Sequence, residues 1–328
     1  MPHTHSLTGG LMRNLPLLAL SKLYEQFVKD YPQIVAESPT DLKASCDSKI
    51  GLWKDHKNSV GFLAGYSCPA ATAFCITMCY TLFGQAAMDN SDRVKARNTW
   101  VLLMHLIDGN IEALVEQFKR LIQFSVDQHE RKIVNLKKAR LRSTFSVWSN
   151  NGRSGVFSDR DETLLRRMIK QGPLWRWHWS GDVLNEDHAV AIVEASSAFP
   201  DVEMAIYTRS FHLLDPLSAR PDNLIVWLSG DPANPDQLRE AHKAHPWARV
   251  ATIKDPDDIT DSDFVCPEHT GKFELKSACA KCRICYRDTK IENLIFKNSK
   301  KQSQTYKRPV SNDLAAEFHS IHQVEEAQ

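Results

Sequence analysis

The sequence lacks both a long apolar run and an excess of charge of either sign. The chain has 328 residues and a formal net charge of +1 at pH 7. Its longest apolar stretch, residues 100–106, is interrupted by His105 and followed by Asp108, so no segment resembles a transmembrane helix. The near-neutral charge provides no general attraction to nucleic acid or acidic lipid. We therefore expect a protein that does not interact with a membrane.

We also expect no secretory signal. Residues 15–20 form a short apolar stretch that includes Pro16 and leads to no convincing cleavage site. We therefore expect a cytoplasmic location. Because the cytoplasm is reducing, clustered cysteines there are more often metal ligands or redox groups than disulfides.

Cysteine is the most informative residue type in this chain. Seven of the eight cysteines fall into two groups. The first group, called the trio, is Cys68, Cys75 and Cys79, and the second, called the quartet, is Cys266, Cys279, Cys282 and Cys285. The remaining Cys46 is expected to be a small, partly buried residue. Groups of different size predict two sites with different chemistry.

The trio predicts a metal centre with an open coordination position. Its spacing is C-x6-C-x3-C, in a loop that follows a predicted strand at residues 59–66. A zinc site would need a fourth ligand, and the loop contains no histidine. Three thiolates can hold a 4Fe-4S cluster and leave one iron free for a substrate or cofactor. We therefore expect a 4Fe-4S cluster on Cys68, Cys75 and Cys79.

The quartet predicts a closed metal centre. Its spacing is C-x12-C-x2-C-x2-C, which is typical of ferredoxin loops and also fits a four-cysteine zinc site. With a reducible cluster expected on the trio, we favour a second 4Fe-4S cluster over zinc. Nearby basic residues either stabilise an anionic centre or belong to a solvated loop; they are Lys272, Lys276, Lys281, Arg283 and Arg287.

The rest of the pattern predicts an α/β fold. Strands are expected at residues 174–179, 202–208, 223–229 and 248–253, and helices at 161–170, 186–199, 211–218 and 235–244. This alternation predicts a parallel sheet, which we expect to form a partial or complete β/α barrel. Additional helices are expected at 17–31, 91–126 and 313–324, and an additional strand at 144–148.

Four regions are expected along the chain. A helical N-terminal extension covers residues 1–57, and a barrel-like core covers residues 58–258, including the cluster loop 67–80. A cysteine-rich metal module covers residues 259–298, and a polar tail covers residues 299–328.

Polar residues are concentrated where the predicted strand 174–179 ends. Arg176 and His178 alternate with three tryptophans, so we expect both in the barrel cavity as catalytic residues, with an exposed edge strand as the alternative. Ser180-Gly181-Asp182 follows at the carboxyl end, where ligands bind in parallel α/β folds. A second Ser-Gly-Asp, residues 229–231, precedes Pro232 and is interpreted as a turn.

Basic residues provide two further candidates. Arg209 ends the predicted strand 202–208, where it could hold a carboxylate or a phosphate. The segment 131–142 contains six basic residues, which are Arg131, Lys132, Lys137, Lys138, Arg140 and Arg142. This segment is interpreted as a solvated helix end or as a patch that binds nucleic acid.

The trio's loop resembles the cluster-binding loop of radical SAM enzymes, although most of that superfamily has shorter gaps between its cysteines. Ser180-Gly181-Asp182 is similar to the superfamily's Gly-Gly-Glu motif. The resemblance implies that S-adenosylmethionine binds the open iron, with Ser180, Gly181 and Asp182 near its methionine part and Tyr80 near its adenine. Arg209 is a further candidate for cofactor binding. The resemblance also implies an electron donor from the host and radical chemistry on an unknown substrate, for which a nucleotide or nucleic acid is the candidate.

A closer resemblance is to the phage gene product 88 family, and it spans roughly residues 46–290. The segments that carry it are Lys49-Ile50-Gly51, residues 68–80, residues 176–182, Tyr207-Thr208-Arg209-Ser210 and the quartet with residues 266–271. It implies a phage origin, hence the cytoplasm of a host cell, and supplies no reaction. The alternative function is a non-catalytic zinc or iron–sulfur protein that interacts with nucleic acid or a host protein.

Overall fold

Five parallel strands form the centre of the fold. The computed structural model describes residues 14–82, 89–149, 157–273 and 276–298. The strands pair in chain order and every pairing is parallel, which gives an α/β half-barrel. They are β1 (Leu174–Arg176), β2 (Glu203–Thr208), β3 (Leu224–Gly230), β4 (Arg249–Lys254) and β5 (Asn293–Lys297). The predicted parallel sheet is therefore confirmed, with β5 as a strand that the sequence pattern did not reveal.

A sixth extended segment lies beside β1. Ser59 forms a parallel bridge with Arg176, and the amide of Arg176 donates to the carbonyl of Asn58. Further along, the amide of Trp179 donates to the carbonyl of Val60. The strand predicted at residues 59–66 is thus reduced to a bridge at its start and a turn at its end. The loop that carries the trio leaves this segment at the same edge where β1 ends.

Helices connect and cover the strands. Before β1 they are α1 (Asn14–Asp30), α2 (Pro32–Glu37), α3 (Ala73–Met78), α4 (Asp89–Ile107), α5 (Ile111–Ser149) and α6 (Asp159–Lys170). After β1 they are α7 (Glu186–Ser197), α8 (Leu214–Leu217), α9 (Pro235–Ala244) and α10 (Ala278–Cys282). None of the helices in the described ranges is long and apolar enough to cross a membrane.

Two helical predictions need correction. The single helix predicted at residues 91–126 is divided into α4 and α5 at Gly109, whose φ of +65° is readily adopted only by glycine. The strand predicted at residues 144–148 is wrong, because these residues form the last turns of α5. Its β-branched and aromatic residues are weak indicators of a strand when they follow a long run of good helix formers. The helix predicted at 313–324 lies outside the described residues.

The two faces of the sheet bury different partners. One face, called the helix face, packs Trp177, Ile206 and Val226 against α5 and α7 in the largest hydrophobic cluster. The opposite face, called the cysteine face, buries Leu174 and Trp227 beneath the quartet. Because β5 pairs with β4, the chain beyond residue 259 completes the same sheet.

Candidate functional site

The trio lies on a loop and a short helix at the carboxyl ends of the strands. Thr72 caps α3, and its hydroxyl oxygen accepts a hydrogen bond of 2.9 Å from the amide of Cys75. Cys79 is the C-cap of the same helix, four residues after Cys75. The Sγ of Cys79 is 3.1 Å from the hydroxyl of Thr81.

Mutual electrostatic effects place the three thiols in one site. Burial raises the pKa of Cys68 well above its ordinary value, and the charges of Asp182, Cys75 and Cys79 raise it further. The pKa of Cys75 rises to about 12 through burial, with Arg209 opposing and with Cys79, Asp231 and Asp182 adding to the rise. Charges shift each other's pKa mainly over short distances, so these groups lie near one another. The site therefore contains the trio together with Asp182, Arg209 and Asp231.

Asp182 is held in a fixed position within this site. Its Oδ1 accepts a hydrogen bond of 2.6 Å from the hydroxyl of Thr208, and its Oδ2 accepts one of 2.7 Å from the amide of Arg209. Burial raises the pKa of Asp182, although these hydrogen bonds oppose the rise. The preceding Gly181 has a φ of +87° and approaches Ser67 closely. The carboxylate is thus anchored to the end of β2 and to the turn before the trio.

Asp231 is a site residue that the sequence interpretation missed. One carboxylate oxygen, Oδ1, accepts from the amide of Ala233 and forms the predicted turn. The other, Oδ2, accepts a hydrogen bond of 2.6 Å from the hydroxyl of Thr72 and lies 3.1 Å from the guanidinium of Arg209. The second Ser-Gly-Asp therefore forms a turn and also joins the site. The repetition of the same tripeptide after two strands of one sheet was the signal for it.

Arg209 is the buried cation between the two carboxylates. Burial alone would lower its pKa, but Cys75, Asp231 and Asp182 outweigh burial and raise that pKa above its ordinary value. Within the described part of the chain, its buried Nε has no hydrogen-bond partner. A buried guanidinium with an unused donor is suited to an anionic ligand, because charge-assisted hydrogen bonds are strong in a low dielectric.

Arg176 and His178 do not share a cavity, so the expected alternation is wrong beyond β1. The Nη1 of Arg176 is 2.9 Å from a carboxylate oxygen of Asp47, on the cysteine face. The ring of His178 instead packs against Phe62 and His188, with ring centres 5.4 and 4.9 Å apart. The reason is the left-handed backbone at His178, where φ is +51° and the two-residue period of the strand ends.

The other residues expected around a cofactor have different surroundings. The hydroxyl of Ser180 donates to the carbonyl of Phe62 at 2.7 Å and is buried, so it holds the extended segment against β1. The side chain of Tyr80 lies outside the described residues. Asp182 and Arg209 are thus the expected cofactor-binding side chains that lie beside the trio.

The quartet also converges, on the cysteine face. Its four cysteines line a single pocket with Tyr286 and Leu294. Burial raises the pKa of Cys285 to about 12, while the hydroxyl of Tyr207 opposes the rise by donating to its sulfur. Burial likewise raises the pKa of Cys266 and of Cys279. No group of three or more histidine, cysteine or acidic side chains in the described ranges is already arranged as a set of metal ligands.

The basic segment 131–142 lies at the opposite edge of the sheet from the trio. Most of its residues are exposed along α5. The same helix carries His129, whose pKa is lowered by burial and by the charge of Arg283. Arg283 binds Glu203, the first residue of β2, and the carbonyl of Gly172 just before β1. The segment is therefore close to the amino ends of the strands and does not contribute to the site of the trio.

Buried histidines should make the protein sensitive to acid. Burial lowers the pKa of His178 to about 3 and the pKa of His56 and of His129 to about 4. At pH 7.5, about one unit above the ordinary histidine pKa of about 6.5, these rings are almost entirely neutral in both the folded and unfolded states. As the pH falls below that value only the unfolded state gains protons, so the free energy of unfolding should fall by about 2 kcal/mol per histidine at pH 5.

Urea unfolding at pH 7.5 and pH 5 measures this effect. The variant His56→Gln should lose part of the pH dependence, whereas His212→Gln, at an exposed position, should keep all of it. An identical pH dependence in wild type and His56→Gln would contradict the prediction.

The fold and site define a class of protein: a mixed α/β half-barrel with two cysteine groups, one at the carboxyl edge and one on a face of its sheet. Comparison with known proteins gives the particular family. A family model described as gene product 88 matches residues 37–288. The chain belongs to this family, as the resemblance of its motifs implied.

Two phage proteins show the same relationship. The chain is 30% identical to the Gene 88 protein of Mycobacterium phage L5 over 255 residues, which cover 74% of this chain and 88% of the relative. It is 28% identical to the Gene 88 protein of Mycobacterium phage D29, again with 74% and 88% covered. No solved structure gives a significant match.

Proposed function

We propose that this protein is an iron–sulfur enzyme of the radical SAM type, with its active site at the trio. Cys68, Cys75 and Cys79 would hold a 4Fe-4S cluster. When bound, such a cluster supplies the electron for reductive cleavage of S-adenosylmethionine and thereby starts radical chemistry on a substrate. The observation that carries the proposal is that the three thiols lie near one another and near Asp182 and Arg209, at the carboxyl ends of parallel strands.

The order of elements along the chain supports this proposal. The trio follows the extended segment that lies beside β1, and Asp182 follows β1. Arg209 follows β2, and Asp231 follows β3. Groups from four successive parallel segments therefore meet at one edge, the edge where ligands bind in parallel α/β folds.

The ligands that the trio offers suit an iron–sulfur cluster better than a site of unligated thiols. Three thiols with no histidine beside them leave one coordination position of a metal centre open. The carboxylates of Asp182 and Asp231 can accept hydrogen bonds from an ammonium group. The unpartnered Nε of Arg209 can donate to a carboxylate. An amino acid moiety such as that of S-adenosylmethionine offers both of these groups.

Anaerobic reconstitution tests the proposed function. The protein is purified without air, supplied with iron and sulfide, reduced with dithionite and incubated with S-adenosylmethionine. We expect 5′-deoxyadenosine to form above the level of a protein-free control. If iron and sulfide are bound but no 5′-deoxyadenosine forms, the enzymatic proposal is wrong and a non-catalytic iron–sulfur protein remains.

A second candidate function is a metal-stabilised protein that binds nucleic acid. The observation that favours it is the exposed basic face of α5, which includes Lys137 and Lys138. Zinc without iron in protein purified without air would favour this function. Because this face lies at the amino ends of the strands, nucleic acid bound there would not reach the trio directly.

Arg209 provides a test of ligand binding that is separate from catalysis. The variant Arg209→Lys keeps the charge between Asp182 and Asp231 but loses the planar set of donors. We expect its dissociation constant for S-adenosylmethionine to rise at least ~10-fold, because a charge-assisted hydrogen bond to the ligand is lost. Equilibrium dialysis with the reconstituted protein measures this constant. Arg239→Lys, at an exposed ion pair with Asp236, is the control that should leave it unchanged.

A further inference from the structure

We infer that the quartet binds one metal centre that forms the structural core of the cysteine face. This inference goes beyond the proposed function, which concerns the trio alone. The chemical class of the ligand is a soft metal centre held by four thiolates, either a zinc ion or a 4Fe-4S cluster.

The four thiols come from three separate segments and meet in one pocket. Cys279 and Cys282 lie on α10, and Cys285 lies in the helical turn that follows. Cys266 comes from a loop whose backbone is tied to β5, since its amide donates to the carbonyl of Ile295 at 2.8 Å. All four cysteines line this pocket, together with Tyr286 and Leu294. Four thiols are the number and type of ligands that either centre requires.

The position of the pocket explains why a metal is needed there. On the helix face, one large cluster of aliphatic and aromatic residues covers the sheet. On the cysteine face, the buried hydrophobic residues form two small clusters, and the cysteines occupy the space between them: Cys279 and Cys285 border the first, and Cys266 and Cys285 border the second. Small apolar clusters contribute little stability, and metal–thiolate bonds contribute much more.

The surroundings of the quartet also fit an anionic centre. Four thiolates around a zinc ion or a cluster carry net negative charge, and the guanidinium of Arg176 acts on both Cys279 and Cys285. Tyr207 donates its hydroxyl to the sulfur of Cys285. The indole of Trp227 donates to the backbone carbonyl of Cys285 at 3.0 Å. These donors, from β1, β2 and β3, orient and neutralise a thiolate centre against the sheet.

Backbone contacts connect the quartet to the rest of the chain. The amide of Cys279 donates to the carbonyl of Lys49 at 2.9 Å, and the hydroxyl of Ser277 donates to the carbonyl of Gly51 at 2.6 Å. Arg283, only 2% exposed, binds Glu203 at the start of β2. Loss of the metal should therefore loosen residues 266–273 and 276–297 and expose Arg283 to protease.

Metal titration of three variants tests this inference. The first replaces all of the trio, as Cys68→Ala/Cys75→Ala/Cys79→Ala, so that only the quartet remains. The second is Cys282→Ser, which leaves three thiols of the quartet in place. The matched control is Cys46→Ala, which removes the exposed eighth cysteine. Each reduced apoprotein is titrated with Co²⁺ and then Zn²⁺ without air, and a parallel sample is reconstituted with iron and sulfide.

We expect the trio variant to bind about one equivalent of Co²⁺ with sulfur-to-metal charge-transfer absorption. Affinity should fall at least ~100-fold in Cys282→Ser and stay at the wild-type level in Cys46→Ala. Bound zinc without sulfide would identify a zinc site, and bound iron with sulfide would identify a 4Fe-4S cluster. Metal binding by the trio variant tests this inference, whereas S-adenosylmethionine cleavage by the wild type tests the proposed function. The two results are independent, so failure of one claim is distinguishable from failure of the other.

A measurement on the wild-type protein avoids dependence on the folding of variants. Removal of the metal with a chelator should lower the melting temperature and open trypsin cleavage after Arg283. The inference would be overturned if the trio variant bound no metal, both in the titration with Co²⁺ and Zn²⁺ and in the reconstitution with iron and sulfide. A wild-type protein whose melting temperature and cleavage pattern are the same with and without metal would also overturn it.

Discussion

Replacing Cys75 by alanine is expected to reduce the formation of 5′-deoxyadenosine at least ~100-fold in the reconstituted protein. Cys75 lies in α3, where its amide bonds to the capping Thr72, and its thiol is close to Arg209 and Cys79. With two thiols left, the site no longer supplies the three ligands that a cluster with one open iron requires. The loss should therefore affect cluster content and S-adenosylmethionine cleavage together.

The fold should survive this substitution. Cys75 is half-buried, and alanine suits a helix interior, so circular dichroism should be unchanged. Cys46→Ala removes an exposed thiol far from the trio in sequence and should keep full activity. Undiminished cleavage by Cys75→Ala, after iron content has been measured in both proteins, would exclude the trio as the cluster site.

Replacing Gly181 by alanine is expected to lower the free energy of unfolding by about 2–5 kcal/mol. Two effects add. The φ of +87° at Gly181 is costly for any residue with a Cβ, and a Cβ there would lie 2.3 Å from the hydroxyl of Ser67 and 3.0 Å from the Cβ of Phe62. The chain must shift, and Asp182 shifts with it, because its amide donates to the carbonyl of Ser67.

Gly65→Ala is the matched control for this effect. Gly65 has a similar φ of +91°, but a Cβ there would meet no atom within 4 Å. It should show the backbone strain alone, about 1–2 kcal/mol. Urea unfolding of the two variants separates strain from the steric clash. Equal destabilisation of both proteins would show that the close contact between Gly181 and Ser67 is unimportant.

The misinterpreted residues show where local patterns fail. Arg176 and His178 are two positions apart, and a strand of uniform period would place them on one face. The strand ends at Arg176 and the backbone turns left-handed at His178, so one side chain faces the quartet and the other enters the core. Asp231 was assigned to a turn because the local sequence, Ser-Gly-Asp followed by Pro232, is typical of one. Its contacts with Thr72 and Arg209 span distant parts of the chain.

The sequence by itself determined the class of fold, most helices and strands, the two cysteine groups and the family. These properties depend on hydrophobic period, residue spacing and motif order, all of which are local or directly readable. Only the tertiary structure decided which groups meet. It brought Asp231 to the trio, separated Arg176 from His178, and placed the quartet on a face of the sheet through its β5 strand. Such contacts depend on the pairing of strands that are far apart in the chain. The spacing of residues along the sequence does not reveal which of these strands pair.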